Sequence, residues 1–93
     1  MYYPNLTKGL KEIIRKSFPD AEPKYKNVDN LETNFELVCY LLWMLDELQK
    51  FDDSARRGRW MGYVQAMMET EGLMLNADNR KLTRLDIDSQ SPV

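Results

Sequence analysis

The sequence predicts an all-α fold: a long antiparallel helical hairpin with short N- and C-terminal helices, which self-associates. Apolar residues recur every three or four positions along most of the chain, the spacing of one helix face. Residues 37–45 read LVCYLLWML, a run that is apolar on every side of a helix and must therefore be enclosed. No segment carries the alternating pattern of a half-buried strand.

The first helix is predicted over residues 5–18, directly after Pro4. Leu6, Leu10 and Ile14 give this helix an apolar face. Pro19 ends it, because proline cannot continue a helix. Residues 19–29 contain two prolines and no hydrophobic period, so they are predicted to form a surface loop.

The second helix is predicted to begin at a cap on Asp29 or Asn30 and to run to about Phe51. It carries two apolar stripes that are rotated against each other. We therefore expect two neighbours to bury it.

The third helix is predicted from about Ala55 to Met74, with Asp53 or Ser54 as its cap. Because the link before it is so short, we expect it to fold back on the second helix as a hairpin. A fourth, short helix follows from about residue 76, and residues 88–93 are predicted to be a flexible tail. Residues 1–93 are thus predicted to form a single helical domain.

The apolar run also predicts assembly into a homo-oligomer, because a chain of 93 residues offers little material to enclose it. A row of small residues in the third helix would let a second helix backbone approach closely. The predicted interface comprises Leu37, Leu41, Met44, Leu48, Gly58, Gly62 and Ala66.

Composition excludes several classes of function. The chain has no histidine, which removes serine–histidine and cysteine–histidine catalysis and the commonest metal ligand. We therefore predict a protein that is not an enzyme and holds no metal or cofactor. The net charge is −2, with basic flanks around an acidic middle segment that they are expected to neutralise, so nucleic-acid binding is disfavoured.

Two further features bear on location. The apolar run is far shorter than the ~20 residues that cross a bilayer, so no membrane span is predicted. The single cysteine, Cys39, lies inside the apolar run and fits a cytoplasmic setting, where disulfides are rare.

The clearest candidate for a binding site is the group of arginines in the first turn of the third helix. Arginines beside the unpaired N–H groups of a helix start can bind a phosphate. Neighbouring aromatic rings can stack on a nucleobase, and a glutamine amide can read its edge. The predicted site comprises Arg56, Arg57, Arg59, Trp60, Tyr63 and Gln65.

Other interpretations of these residues stay open. The arginines can instead form salt bridges with carboxylates near the link, or contact an acidic protein surface. The aromatic rings can belong to the core. The carboxylates in question are Asp46, Glu47, Asp52 and Asp53.

The segment from Arg59 to Gln65 reads RWMGYVQ and is followed by Gly72 and Leu73. It resembles a pattern of small helical proteins from bacteriophages and prophages: arginine, tryptophan, any residue, glycine, aromatic, any residue, glutamine, and later a glycine before a short helix. This resemblance implies a phage setting. The chain is also generally similar to helical-hairpin anti-defence proteins that sequester cyclic nucleotide signals, although no binding residue is carried over from them.

Together these observations predict a non-catalytic, phage-type binding protein that captures a host component in the host cytoplasm. A phosphorylated nucleotide signal is one candidate ligand, which would make the chain a counter-defence protein. The alternatives are an inhibitor or adaptor that binds a host protein, and a purely structural helical oligomer.

Overall fold

The computed structural model describes the backbone of residues 1–90 and the side chains of residues 1–86. Within these residues the regular structure is helical and contains no strand, which confirms the predicted all-α class. The helices are α1 (Pro4–Ser17), α2 (Asn34–Glu47), α3 (Ser54–Thr70) and α4 (Asn76–Gln90). Short 3₁₀ turns at Val28–Asn30 and Leu48–Lys50 precede and follow α2.

The start of α2 differs from the prediction. Thr33 is the capping residue, and its hydroxyl accepts a hydrogen bond from the Glu36 N–H at 3.1 Å. Asp29 and Asn30 lie in the 3₁₀ turn at Val28–Asn30 instead. The prediction that one of them caps α2 is therefore wrong, and the helix begins later than expected.

Both ends of α3 have local causes. The Asp53 carboxylate accepts from the N–H groups of Ala55 at 2.9 Å and Arg56 at 3.3 Å, which confirms one of the two predicted caps. The helix ends at Thr70 rather than at Met74. Gly72 adopts a φ of 71°, a left-handed conformation that glycine tolerates and that commonly ends helices.

The last helix is longer than predicted. With 15 residues, α4 matches the 14 residues of α1 and of α2. It reaches Gln90, so residues 88–90 of the predicted tail are helical, and residues 91–93 lie outside the described part of the chain. The most extensive helix–helix contact joins α4 to α1, a pairing that the sequence did not suggest.

The core lies where α2 meets its neighbours. α2 contacts both α1 and α3, as its two apolar stripes predict. α1 contributes the side chains of its predicted apolar face, Leu6, Leu10 and Ile14. The other fully enclosed positions include Val38, Leu41, Leu42, Leu45, Leu48, Met61, Val64 and Met68.

The apolar run is enclosed by its own chain. Seven of its nine side chains are buried, and Tyr40 and Trp43 are partly exposed. The side chains that we predicted at an oligomer interface in this region are buried: Leu37, Leu41, Met44 and Leu48 expose 7%, 0%, 5% and 0% of their surface. A second copy cannot reach these side chains in this fold, so the argument that assembly is needed to cover them fails.

The row of small residues in α3 consists of Gly58, Gly62 and Ala66. No other helix packs closely against this row within the described residues. A Cβ on Gly62 would meet nothing within 4 Å, and Ala66 is exposed. A Cβ on Gly58 would lie 3.7 Å from the Tyr3 hydroxyl, an ordinary contact distance. The close approach occurs instead at Gly9, where a Cβ would lie 2.7 Å from Cδ2 of Leu82 on α4.

Two ion pairs connect the acidic α2 to the basic segment before it, as the charge distribution predicts. The Lys11 ammonium lies 2.7 Å from the Asp46 carboxylate, and Lys26 pairs with Glu36. The hydrogen bond from Lys26 lowers the pKa of Glu36. Because these pairs are partly open to solvent, they contribute little to stability.

Candidate functional site

The three arginines at the start of α3 have three different surroundings. Arg57 exposes only 9% of its surface; its guanidinium carbon lies 3.6 Å from the centre of the Tyr2 ring, and its Nη1 donates to the Phe51 carbonyl. Arg56 lies over the Phe51 ring at 4.1 Å from its centre. Arg59 is exposed. Arg57 therefore has a structural role, and the three side chains do not form one anion site.

The positive end of the α3 dipole is already occupied. The Asp53 carboxylate accepts from the first free N–H groups of the helix, which are the groups that a bound phosphate would need. The predicted phosphate site at this helix start is therefore filled by the chain's own carboxylate.

The salt-bridge interpretation of the arginines fails as well. Within residues 1–86, no carboxylate oxygen lies within 4.0 Å of a nitrogen of Arg56, Arg57 or Arg59. Asp46 pairs with Lys11, and Glu47 pairs with Lys50 at 2.9 Å. No carboxylate in this part of the chain therefore neutralises Arg56 or Arg59, and both exposed guanidinium groups can pair with a binding partner.

Four of the six predicted site residues share one face of α3, because Arg59, Trp60 and Tyr63 follow Arg56 by three, four and seven positions. Trp43 of α2 lies beside this face, with its ring centre 5.9 Å from that of Trp60. We name the surface the aromatic face. It consists of Tyr25, Tyr40, Trp43, Phe51, Trp60 and Tyr63, with Arg56 and Arg59 at its edge.

Five of the six rings of the aromatic face, all but Tyr63, pack on one another. Trp43 contacts Tyr25 at 5.0 Å and stacks on Tyr40 at 5.7 Å, both measured between ring centres. Phe51 meets Trp60 edge to face at 4.6 Å. Such pairs contribute roughly 0.5–1.5 kcal/mol each beyond the burial of their area. The arrangement is therefore ordered before any partner arrives.

The same rings remain open to solvent. Tyr25 exposes 59% of its surface and Tyr63 exposes 40%, while the other four are half-buried. Burial raises the pKa of the Tyr40 hydroxyl, and the nearby hydroxyls of Tyr63 and Tyr25 raise it further. These rings combine fixed geometry with accessible surface, as a contact site requires.

Gln65 lies elsewhere. Its Nε2 donates to the Thr83 hydroxyl at 2.8 Å and to the Asn79 amide oxygen, so it faces α4 rather than the aromatic face. The predicted six-residue site therefore divides into a surface group and two residues, Arg57 and Gln65, that point away from it.

Sequence reasoning assigned Tyr40 and Trp43 to the apolar run and did not place them in a site. A signal was present, since each of two successive helices carries a pair of aromatic residues three positions apart: Tyr40 with Trp43, and Trp60 with Tyr63. Such pairs share a helix face. Phe51 and Tyr25 lie outside these two helices, and only the fold brings them beside the two pairs.

The chemistry of the aromatic face is contact chemistry: ring stacking, cation–π attraction and apolar burial. The described residues contain no group of three or more acidic or cysteine side chains arranged to hold a metal ion. Nor does any helix in that part of the chain have the length and apolarity needed to traverse a bilayer. No protein-family model, curated protein or solved structure matches the chain.

Proposed function

We propose that this chain is a non-catalytic binding protein that captures a partner protein through its aromatic face. The observation that carries the proposal is a group of five partly exposed rings packed on one another, with Tyr63 and two arginines beside them. Tyrosine, tryptophan and arginine are the side chains that most often dominate binding energy at protein interfaces. Pre-packed rings also lose little conformational freedom on binding.

The charge at the edge of the face indicates the chemistry of the partner. Arg56 and Arg59 have no carboxylate partner within residues 1–86. A complementary surface therefore has an apolar centre and carboxylates at its rim, which would speed association and fix its orientation. The sequence resembles small phage proteins. In a phage setting the partner would be a host protein, and its capture would serve as counter-defence.

Capture of a nucleotide signal is the weaker candidate at this position. The N–H groups at the start of α3 are satisfied by Asp53, and Arg57 is held by Tyr2 and Phe51. A nucleotide on the aromatic face would have to rely on stacking and on two surface arginines, without a helix start to hold its phosphate.

The proposal is tested by variants of the face in a capture experiment from host lysate. We expect Tyr63→Ala and Arg59→Glu each to weaken retention of a specific host protein by tenfold or more, because loss of an interface anchor commonly costs about 2 kcal/mol. Lys8→Glu changes the charge of an exposed residue on α1 by the same amount and should leave retention unchanged. A host protein retained equally by all three variants would contradict the proposal.

A second readout uses the chain's own fluorescence. The chain has only two tryptophans, and both Trp43 and Trp60 belong to the aromatic face. Once the partner is purified, its binding should shift or quench the tryptophan emission. Emission that stays constant through a titration to saturation would place the interface elsewhere.

Self-association is the alternative outcome of the proposal. We also propose that α2 and α3 form the antiparallel hairpin that the sequence predicts. Four of the residues expected at an oligomer interface are buried, so we take the aromatic face as the surface on which a second copy would dock. Chromatography with light scattering should give the mass of one chain, 11.0 kDa. A dimer that reverts to this mass in the Arg59→Glu and Tyr63→Ala variants would make a second copy the partner.

A further inference from the structure

A groove of about 530 Å³ separates α3 from α4 on a surface distinct from the aromatic face. This volume lies within the range of roughly 300–1,000 Å³ that small-molecule sites occupy. Gly62 and Ala66 line the groove on the α3 side, and a Cβ added to Gly62 would meet nothing within 4 Å. The groove is therefore open to a ligand beside Gly62 and Ala66, where a second helix was expected to pack.

A network of polar side chains links the two helices that line the groove. Gln65 donates to Thr83 and Asn79, and Asn79 in turn donates to Oε1 of Glu69. Asn76 donates to the same carboxylate oxygen at 3.1 Å. Each amide is thereby held in one orientation, and Asn79 exposes only 8% of its surface.

The network leaves acceptors for a ligand. Among the described residues, no hydrogen bond reaches the amide oxygen of Gln65 or Oε2 of Glu69. These two oxygens can accept from N–H groups, such as those on the edge of a nucleobase.

The α4 side of the groove carries two arginines. Arg80 and Arg84 are one helical turn apart, exposed, and without an ion pair in the described part of the chain. Two guanidinium groups match the charge and the oxygen geometry of a phosphate monoester. The groove therefore holds an excess of positive charge over the single carboxylate of Glu69.

Arg84 and Glu69 lie at opposite ends of the groove, with Gln65 and Arg80 between them. Gln65 pairs with Thr83 while Glu69 pairs with Asn76, so α3 and α4 run in opposite directions here. Arg84 follows Thr83 in the chain and thus lies toward the Gly62 end, roughly 10 Å from the Glu69 end by the helical rise. That span matches a molecule with a phosphate at one end and hydrogen-bonding nitrogen groups at the other.

We propose that the groove between α3 and α4 binds a nucleoside monophosphate, with the phosphate toward Arg84, the base toward Glu69, and Arg80 and Gln65 between them. The site differs from the one predicted at the start of α3, and it does not rest on the proposed protein partner. A phosphate group and a base are both needed, because each end of the groove recognises only one of them.

The side-chain amides of the groove provide the test. Signals of Gln65, Asn76 and Asn79 are followed by nuclear magnetic resonance while AMP, GMP, CMP, UMP, the four nucleosides or inorganic phosphate is added to the intact chain. We expect at least one monophosphate to shift all three amides and to bind about tenfold or more tightly than its nucleoside or phosphate alone. If no monophosphate shifts them, or if phosphate alone binds equally well, the proposal is wrong.

Variants separate specific binding from general attraction of anions. Arg84→Gln should weaken monophosphate binding at least tenfold, while Arg15→Gln, an exposed arginine on α1, should not change it. Gly62→Leu should fill the groove and abolish binding without unfolding the chain, whereas Ala55→Leu on the exposed first turn of α3 should have no effect. Equal binding by Gly62→Leu and the native chain would overturn the assignment of the groove. Because Gly62 lies outside the aromatic face, the Gly62→Leu variant should still retain a protein partner, whether or not it binds a nucleotide. The two proposals can therefore fail separately.

Discussion

Replacing Asp86 by alanine is expected to lower the free energy of unfolding by about 3 kcal/mol, the loss expected when a buried charged acceptor of two hydrogen bonds is removed. Asp86 lies on α4 and exposes 1% of its surface. Its two carboxylate oxygens accept from the backbone N–H groups of Asn5 at 2.8 Å and Leu6 at 2.7 Å. α1 has no capping side chain of its own, because its N-cap residue Tyr3 makes no side-chain hydrogen bond.

The loss follows from what the alanine leaves behind. The N–H of Leu6 would stay buried without an acceptor, and the start of α1 would lose the negative charge that favours its dipole. A small domain is stable by only about 5–15 kcal/mol, so the change removes a large part of its stability. Urea denaturation followed by circular dichroism, extrapolated linearly to water, measures it.

Two controls sharpen this measurement. Asp86→Asn keeps one acceptor oxygen and should cost about half as much as alanine. Asp20→Ala removes an exposed carboxylate from the loop and should change stability by less than about 0.5 kcal/mol. If Asp86→Ala and Asp20→Ala unfold at the same urea concentration, the cap does not stabilise α1.

Gly9→Leu is expected to destabilise the fold by about 2 kcal/mol, within the usual cost of overpacking a filled contact. A Cβ at this position would lie 2.7 and 2.9 Å from the two terminal carbons of Leu82, so the Leu82 side chain would have to move, and the rest of a leucine side chain would crowd the contact of α1 with α4. Gly62→Ala should act in the opposite direction and stabilise by roughly 0.5–1 kcal/mol, since that site is open and alanine favours a helix. Thermal and urea unfolding of both variants provide the comparison.

A double variant identifies the cause of the Gly9 effect. Leu82→Ala alone should destabilise by removing an apolar contact, but combined with Gly9→Leu it gives the new side chain room. The two changes should therefore cost less together than the sum of their separate costs. Strict additivity would show that Gly9 does not act through Leu82.

The elements of the fold were largely accessible from sequence, because they depend on residues close together in the chain. Periodicity gave α1 to within one residue at each end, and a short polar side chain before α3 gave its cap. The pairing of α1 with α4 was not accessible. Its two determinants, Gly9 and Asp86, look locally like a weakened helix position and an ordinary acidic residue of a short helix, and only tertiary contact gives them their roles.

The enclosure of the apolar run was predicted correctly, but its source was not. The prediction that one chain is too small underestimated the length of the fourth helix. α4 packs on α1, and the buried sides of α1 and α3 enclose α2. At the candidate site, residue types suggested one cluster, whereas helix geometry separates its members. Gln65 lies nine residues after Arg56, about half a turn away around the helix, and therefore faces α4.

The bond from Asn5 to Asp86 joins residues 81 positions apart. Closing so long a loop is slow compared with forming contacts between neighbouring segments. During synthesis on the ribosome, α1 is made before α2, α3 and α4, but it gains its cap only after Asp86 of α4 has been added. The start of α1 therefore lacks the Asp86 cap until α4 has been made.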